Sequence, residues 1–123
     1  MDVAHNADAW DRFLQEAEGQ VTGPKVGVVA LTTERSIDEL ASGIQQVEWE
    51  SVECTEADRV DCYPSEKIVQ QLKSGGVKAV ASASSFKAFD EAFERAEASE
   101  ASVLVFGSHY LVNNFLEWVD KRN

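Results

Sequence analysis

The sequence has little with which to grip a phosphate backbone: eleven Lys and Arg stand against twenty-two Asp and Glu over 123 residues. No basic stripe interrupts that acidity, so nucleic acid is not expected as a partner. Cysteine is nearly absent too. Cys54 and Cys62 form neither a C-x-x-C pair nor a metal-spaced cluster, and two thiols make no disulfide framework, so both are expected to be reduced. No apolar run approaches the roughly 18 residues of a membrane span. The N-terminus turns polar within six positions, so neither a span nor a signal peptide is expected, and the cytoplasm is the expected location. Also missing are a G-x-x-x-x-G-K-[ST] loop, a G-x-G-x-x-G after a strand, an H-x-x-x-H pair, a nucleophile elbow and any Cys/His cluster. The usual ATP cradle, the dinucleotide fingerprint and a resident metal are therefore not expected.

What remains is the composition of a folded domain. Hydrophobic residues make up 44% of the chain, with three Trp and six Phe at regular spacing, enough for one core without staples. The net charge of -11 reads as a solvated acidic surface that favours solubility. Residues 1–123 are expected to form a single domain.

Along the chain, two hydrophobic periods alternate. Trp10, Phe13, Leu14 and Ala17 recur at helical spacing behind Asn6, which predicts a first helix from Asp8 to about Glu18, stopped by Gly23-Pro24. Lys25 to Leu31 (KVGVVAL) reads as a strand buried on both faces. Ser36-Ile37-Asp38-Glu39 has the capping-box pattern and opens a helix through Leu40, Ala41 and Ile44. Glu50 to Thr55 is a second strand. Glu56 to Tyr63 is polar and irregular, and Pro64-Ser65 then begin a helix that ends at Gly75-Gly76. Val77 to Ala81 is a third strand, and Ser84-Ser85 open a helix whose Phe86, Phe89, Phe93 and Ala96 form one apolar stripe. Ser102 to Phe106 is the last strand. After Gly107-Ser108, Leu111, Val112, Phe115, Leu116 and Val119 mark a closing helix.

Strands alternating with helices predict an α/β fold, three-layered and Rossmann-like, with a mostly parallel sheet covered on both faces. Ligands of such sheets bind beyond the carboxyl ends of the strands. Here those ends are Thr32 to Arg35, Thr55 to Asp58, Ser82 to Ser85 and Gly107 to His109, and Asp2 to Asn6 would open onto the same rim.

Two constellations on that rim can carry chemistry. Asp2-Val3-Ala4-His5-Asn6 gathers a carboxylate, an imidazole and an amide at a helix start, where free N–H groups suit a bound anion and a neutral imidazole. The alternative is that Asn6 is a plain cap and His5 a loop residue. In the strand–Gly107-Ser108–helix turn, glycine permits a sharp bend and Ser108 meets the first helical N–H groups. Ser108 is either a ligand contact or an ordinary cap, and His109 and Tyr110 either face the crevice or simply begin the helix.

Asp-x-Ala-His-Asn at Asp2 to Asn6 and Val103-Leu104-Val105-Phe106-Gly107-Ser108-His109-Tyr110 near the end resemble motifs of the Mur ligase superfamily's carboxy-terminal domain. Within it the chain is similar to the dihydrofolate synthase/folylpolyglutamate synthases, colinearly over nearly its whole length. The resemblance implies an ATP-dependent ligase that adds L-glutamate to dihydropteroate or folate through an acyl phosphate. It also implies an N-terminal ligase domain, absent here, that holds most of the ATP and Mg. By resemblance, Asp2 and Asn6 belong to the nucleotide side, and His5, Ser108, His109 and Tyr110 to the glutamate and acyl-phosphate side. No catalytic residue is expected in isolation, and the isolated chain is expected to be inactive.

Ala7 stands where the family often has Pro, and Thr32 to Ser36 replaces an Asp-Lys-Asp-like run. The chain also begins abruptly before Asp2, as half of a cleft would. Two other readings fit the same fold: a non-catalytic binding module that stands alone, and a peptidoglycan-precursor ligase domain. The Gly107-Ser108-His109-Tyr110 ending favours the folate branch over the latter.

Overall fold

Lys25–Val29 forms β1, and every one of its residues is buried, as a strand lying between two helical layers must be. The structure is a computed structural model that describes residues 23–58, 61–82 and 84–122. The first helix expected, Asp8 to Glu18, lies outside them. Three further strands, β2 (Ser51–Cys54), β3 (Ala79–Ala81) and β4 (Ser102–Phe106), join β1 in one parallel sheet of order β3-β2-β1-β4. Helices α1 (Ile37–Ile44), α2 (Ser65–Ser74), α3 (Ser85–Ser99) and α4 (His109–Arg122) alternate with them. This is the α/β, three-layered, mostly parallel arrangement expected.

Strand alternation sorts the core into two clusters. On one face Val29, Val52, Cys54, Leu104 and Phe106 pack against Leu40, Ala41 and Ile44 of α1 and Ile68 and Leu72 of α2. On the other, Val26, Val28 and Val105 meet Ala88, Phe89, Ala92 and Ala96 of α3 and Leu111, Phe115 and Trp118 of α4. Phe89 and Phe115 meet edge to face at 5.3 Å, and Phe93 stacks on Trp118 at 5.0 Å. Gly27 in the middle of β1 leaves a notch in which Trp49 stacks on Phe106 at 5.5 Å, where a Cβ would stand 3.0 Å from the indole.

The caps explain the helix boundaries. Ser36 Oγ accepts from Glu39 N–H and Ser84 Oγ from Lys87 N–H, each at 3.2 Å. Pro64 has no side chain that can cap α2, and Glu56 Oε2 instead accepts from Ser65 N–H at 3.2 Å. After α2, Gly76 turns left-handed (φ 85°) while Gly76 N–H bonds Lys73 O and Val77 N–H bonds Leu72 O. That closure draws Val77 to the helix, so β3 begins at Ala79 rather than at Val77.

The closing helix differs from expectation. Leu116 is 56% exposed, whereas Trp118 is buried. Leu111, Phe115 and Trp118 follow i, i+4, i+7 and set the inward face, and Leu116 lies a hundred degrees further round. No helix among the described residues is long and apolar enough to cross a membrane.

Candidate functional site

The order β3-β2-β1-β4 contains one reversal. From β1 the chain steps outward through β2 to β3, with α1 and α2 on one face, and then returns across the sheet through α3 on the other face to reach β4. The helices that follow β1 and β4 therefore lie on opposite faces of the sheet, and such a switch point is where open parallel sheets hold their ligands.

Gly107 stands at that point with φ 110°, and a Cβ on it would overlap the Ala30 carbonyl oxygen and press on Val29. Only glycine fits, because the backbone leaving β4 lies directly against the end of β1. Ser108 follows, 4% exposed. Its Oγ accepts from Tyr110 N–H at 3.1 Å, and its carbonyl accepts from Leu111 N–H at 3.0 Å. Ser108 thus closes the first turn of α4. His109 is the first residue of that helix, and Tyr110 is half-buried against the aromatic cluster. Of the six candidate residues, the structure brings these three together in one turn at the switch point. Asp2, His5 and Asn6 lie outside the described residues.

Sequence reasoning missed several residues that build the rim. Asn114, one turn into α4 and 4% exposed, accepts from Asp58 N–H at 3.0 Å and so ties the loop after β2 to the helix after β4. The segment leading to α2 folds back over the end of β1. Thr32 and Cys62 form an antiparallel bridge, and Tyr63 N–H bonds Leu31 O at 2.9 Å. Tyr63 Oη donates to Arg35 O at 2.7 Å. An Asn inside an amphipathic helix and a polar loop carry no signal of such pairings in sequence.

The margin of the rim is acidic among the described residues: Glu34, Glu56, Asp58 and Asp61 are exposed there, beside a half-buried Arg35 in the loop after β1. No group of three or more His, Cys, Asp and Glu converges to hold a metal ion among the described residues. Both thiols are free and held protonated. Burial, helped by Glu53, pushes Cys54 up to about 12. Burial also raises Cys62, against the Ala57 carbonyl that accepts from its Sγ. Neither is poised as a nucleophile.

The other half of the rim holds a buried carboxylate. Glu53, in the middle of β2, is fully buried. Arg95 Nε of α3 lies 3.2 Å from its Oε1. Ser82, just past β3, has its Oγ 3.2 Å from Glu53 Oε2 and 3.3 Å from Glu91 Oε2. Burial raises the Glu53 carboxyl above the usual range, Arg95 lowers it, and Glu91 raises it again.

No protein-family model matches this chain, and no curated protein matches it in sequence. Solved structures do match in fold. E. coli FolC with ADP and without folate substrate aligns with 99% of this chain at 23% identity and a TM-score of 0.85. Mycobacterium tuberculosis folylpolyglutamate synthase with ADP and AMPPCP aligns with 90% at 17% identity and 0.79. The bifunctional folylpolyglutamate synthase/dihydrofolate synthase of Yersinia pestis with Mn, AMPPNP and L-glutamate aligns with 98% at 17% identity and 0.76. The chain spans between 27% and 28% of the length of these proteins. The four-stranded parallel sheet with helices on both faces is therefore a fold that these folylpolyglutamate synthases share over the part of their length that aligns.

Proposed function

We propose that this chain works as the carboxy-terminal domain of an ATP-dependent ligase that joins L-glutamate to dihydropteroate or a folate through an acyl phosphate. The observation that carries this reading is the fold match across 99% of the chain to E. coli FolC, solved with ADP and with DHPP. Structures of similar fold that hold L-glutamate and AMPPNP support it further.

In this reading the domain supplies one wall of a cleft. The described residues do not fit a magnesium nucleotide by themselves, since the rim offers an acidic margin with one half-buried arginine, and no three His, Cys, Asp or Glu converge among the described residues. Phosphates and magnesium fall to an N-terminal ligase domain, and this domain adds closure and orientation. Asp2 and Asn6 are assigned to the nucleotide, and His5, His109 and Tyr110 to the glutamate and acyl-phosphate side. Ser108 serves there as a positioning residue. Its hydroxyl is engaged with Tyr110 N–H, so it sets the turn that meets the ligand and does not grip it. Closing the wall holds the glutamate amine near the acyl carbon and keeps water from the acyl phosphate. We assign such an enzyme to the cytoplasm.

The buried, engaged Ser108 also favours a second reading, a non-catalytic binding module on the same fold. Mixing the chain with a matching N-terminal domain separates the two. The ligase reading expects phosphate release that depends on ATP, glutamate and dihydropteroate together, and expects none from the chain alone. A silent mixture containing an intact N-terminal domain supports the module.

A further inference from the structure

Ser82 has one hydroxyl proton and two carboxylates within reach of it, Glu53 Oε2 at 3.2 Å and Glu91 Oε2 at 3.3 Å. It can donate to only one at a time. The shared hydroxyl therefore holds the two carboxyl groups side by side, each with an oxygen against the same Ser82 Oγ. A single cation faces them, Arg95, one turn beyond Glu91 on α3 and 3.2 Å from Glu53 Oε1.

No other charged group relieves them among the described residues packed around Glu53. Its register neighbours on β1 and β3 are Val28 and Val80. Cys54, next along β2, belongs to the core of the opposite face and is protonated. Counted together, two ionised carboxylates and one guanidinium would leave an uncompensated negative charge beneath α3. One bound proton brings the cluster to neutrality.

We propose that Glu53 and Glu91 hold a single proton between them, clasped by Ser82 and Arg95, and that its loss loosens the seat of α3 beside the carboxyl rim. The mechanical link is short. Ser82 N–H bonds Cys54 O at 2.9 Å and Ser82 O accepts from Thr55 Oγ1 at 3.4 Å, so the residue that reads the proton also anchors the end of β3 to β2. Ser84, two residues on, caps α3. On ionisation the proton leaves to solvent along the half-buried Glu91 and Arg95 side. The two carboxylates then repel, and the second turn of α3 moves away from β2.

The sign follows from where the proton sits. The buried Glu53 carboxyl keeps its proton to higher pH than an unfolded Glu does. Its stabilisation is complete below the ordinary carboxylate range and is lost as pH rises through the raised native value. The test is urea unfolding of the full chain from about pH 5 to about pH 8, alongside infrared detection of a protonated carboxyl group at neutral pH. The wild-type unfolding constant is expected to rise on the order of tenfold over that range, as the release of one shared proton would produce. Glu53→Gln should remove this rise, and the protonated-carboxyl band should vanish.

Glu91→Gln, at a half-buried position, separates sharing from simple burial and serves if Glu53→Gln does not fold. With one carboxylate gone, Arg95 alone neutralises Glu53 and the band should disappear as well. A band that persists in Glu91→Gln overturns the shared proton. So does a wild-type chain without the band, or a pH dependence equal in wild type and Glu53→Gln. None of these measurements uses ATP, folate or glutamate, so they stand apart from the ligase reading.

Discussion

The two halves of the carboxyl rim are built from opposite materials. Beside β4 the geometry is set by an absence, the missing side chain at Gly107, which lets one backbone rest on another at Ala30. Beside β3 it is set by side chains, Glu53, Ser82, Glu91 and Arg95, whose contacts depend on where protons are. A backbone contact is independent of pH and intolerant of substitution. A titratable cluster tolerates change and answers to pH. The molecule therefore carries a fixed wall at its switch point and an adjustable one next to it.

The largest break in that comparison is Gly107→Ala. A left-handed backbone and an overlap with a carbonyl oxygen both oppose it, and neither relieves the other, so a loss of about 3 kcal/mol or more is expected. Denaturant midpoints measure it, and a loss below about 1 kcal/mol would mean that the turn relaxes easily. Ser82→Ala should cost less, about 1–3 kcal/mol, by leaving buried carboxylate oxygens without their donor. Its loss should vary with pH, whereas the Gly107→Ala loss should not. A Ser82→Ala cost that is flat with pH would erase the contrast between the halves. Asn114→Ala cuts the strut between them. It removes the acceptor of Asp58 N–H and is expected to cost about 1 kcal/mol. Amide exchange at Asp58 should rise while exchange in β1 stays slow, and equal acceleration in both would show that Asn114 supports the whole core.

How much of this was legible in the sequence depends on range. Strand burial from Lys25 to Leu31, the caps at Ser36 and Ser84 and the bend at Gly107 are local, and each reads from its neighbours. Leu116 misleads because Leu111, Val112, Phe115, Leu116, Trp118 and Val119 of α4 compete for an inward face, and only packing against Phe89 and Phe93 decides for Trp118. Glu53 is illegible because ESVECT alternates like a half-exposed strand. Its burial comes from α3, more than thirty residues on, which brings Glu91 and Arg95 over it. The candidate site shows the same split. The Ser108 to Tyr110 turn was visible as a motif, but that Ser108 is a sealed cap and not an open hydroxyl follows from three-dimensional packing alone.

The notch at Gly27 has a consequence for watching this protein. Trp49 lies in it with its Nε1–H donated to Ile44 O at 2.9 Å and its ring against Phe106, so one indole touches the central strand, the last strand and the end of α1. Its emission is a built-in gauge of whether those three elements are seated together, and any ligand or partner domain that shifts them will write its arrival in the colour of that light.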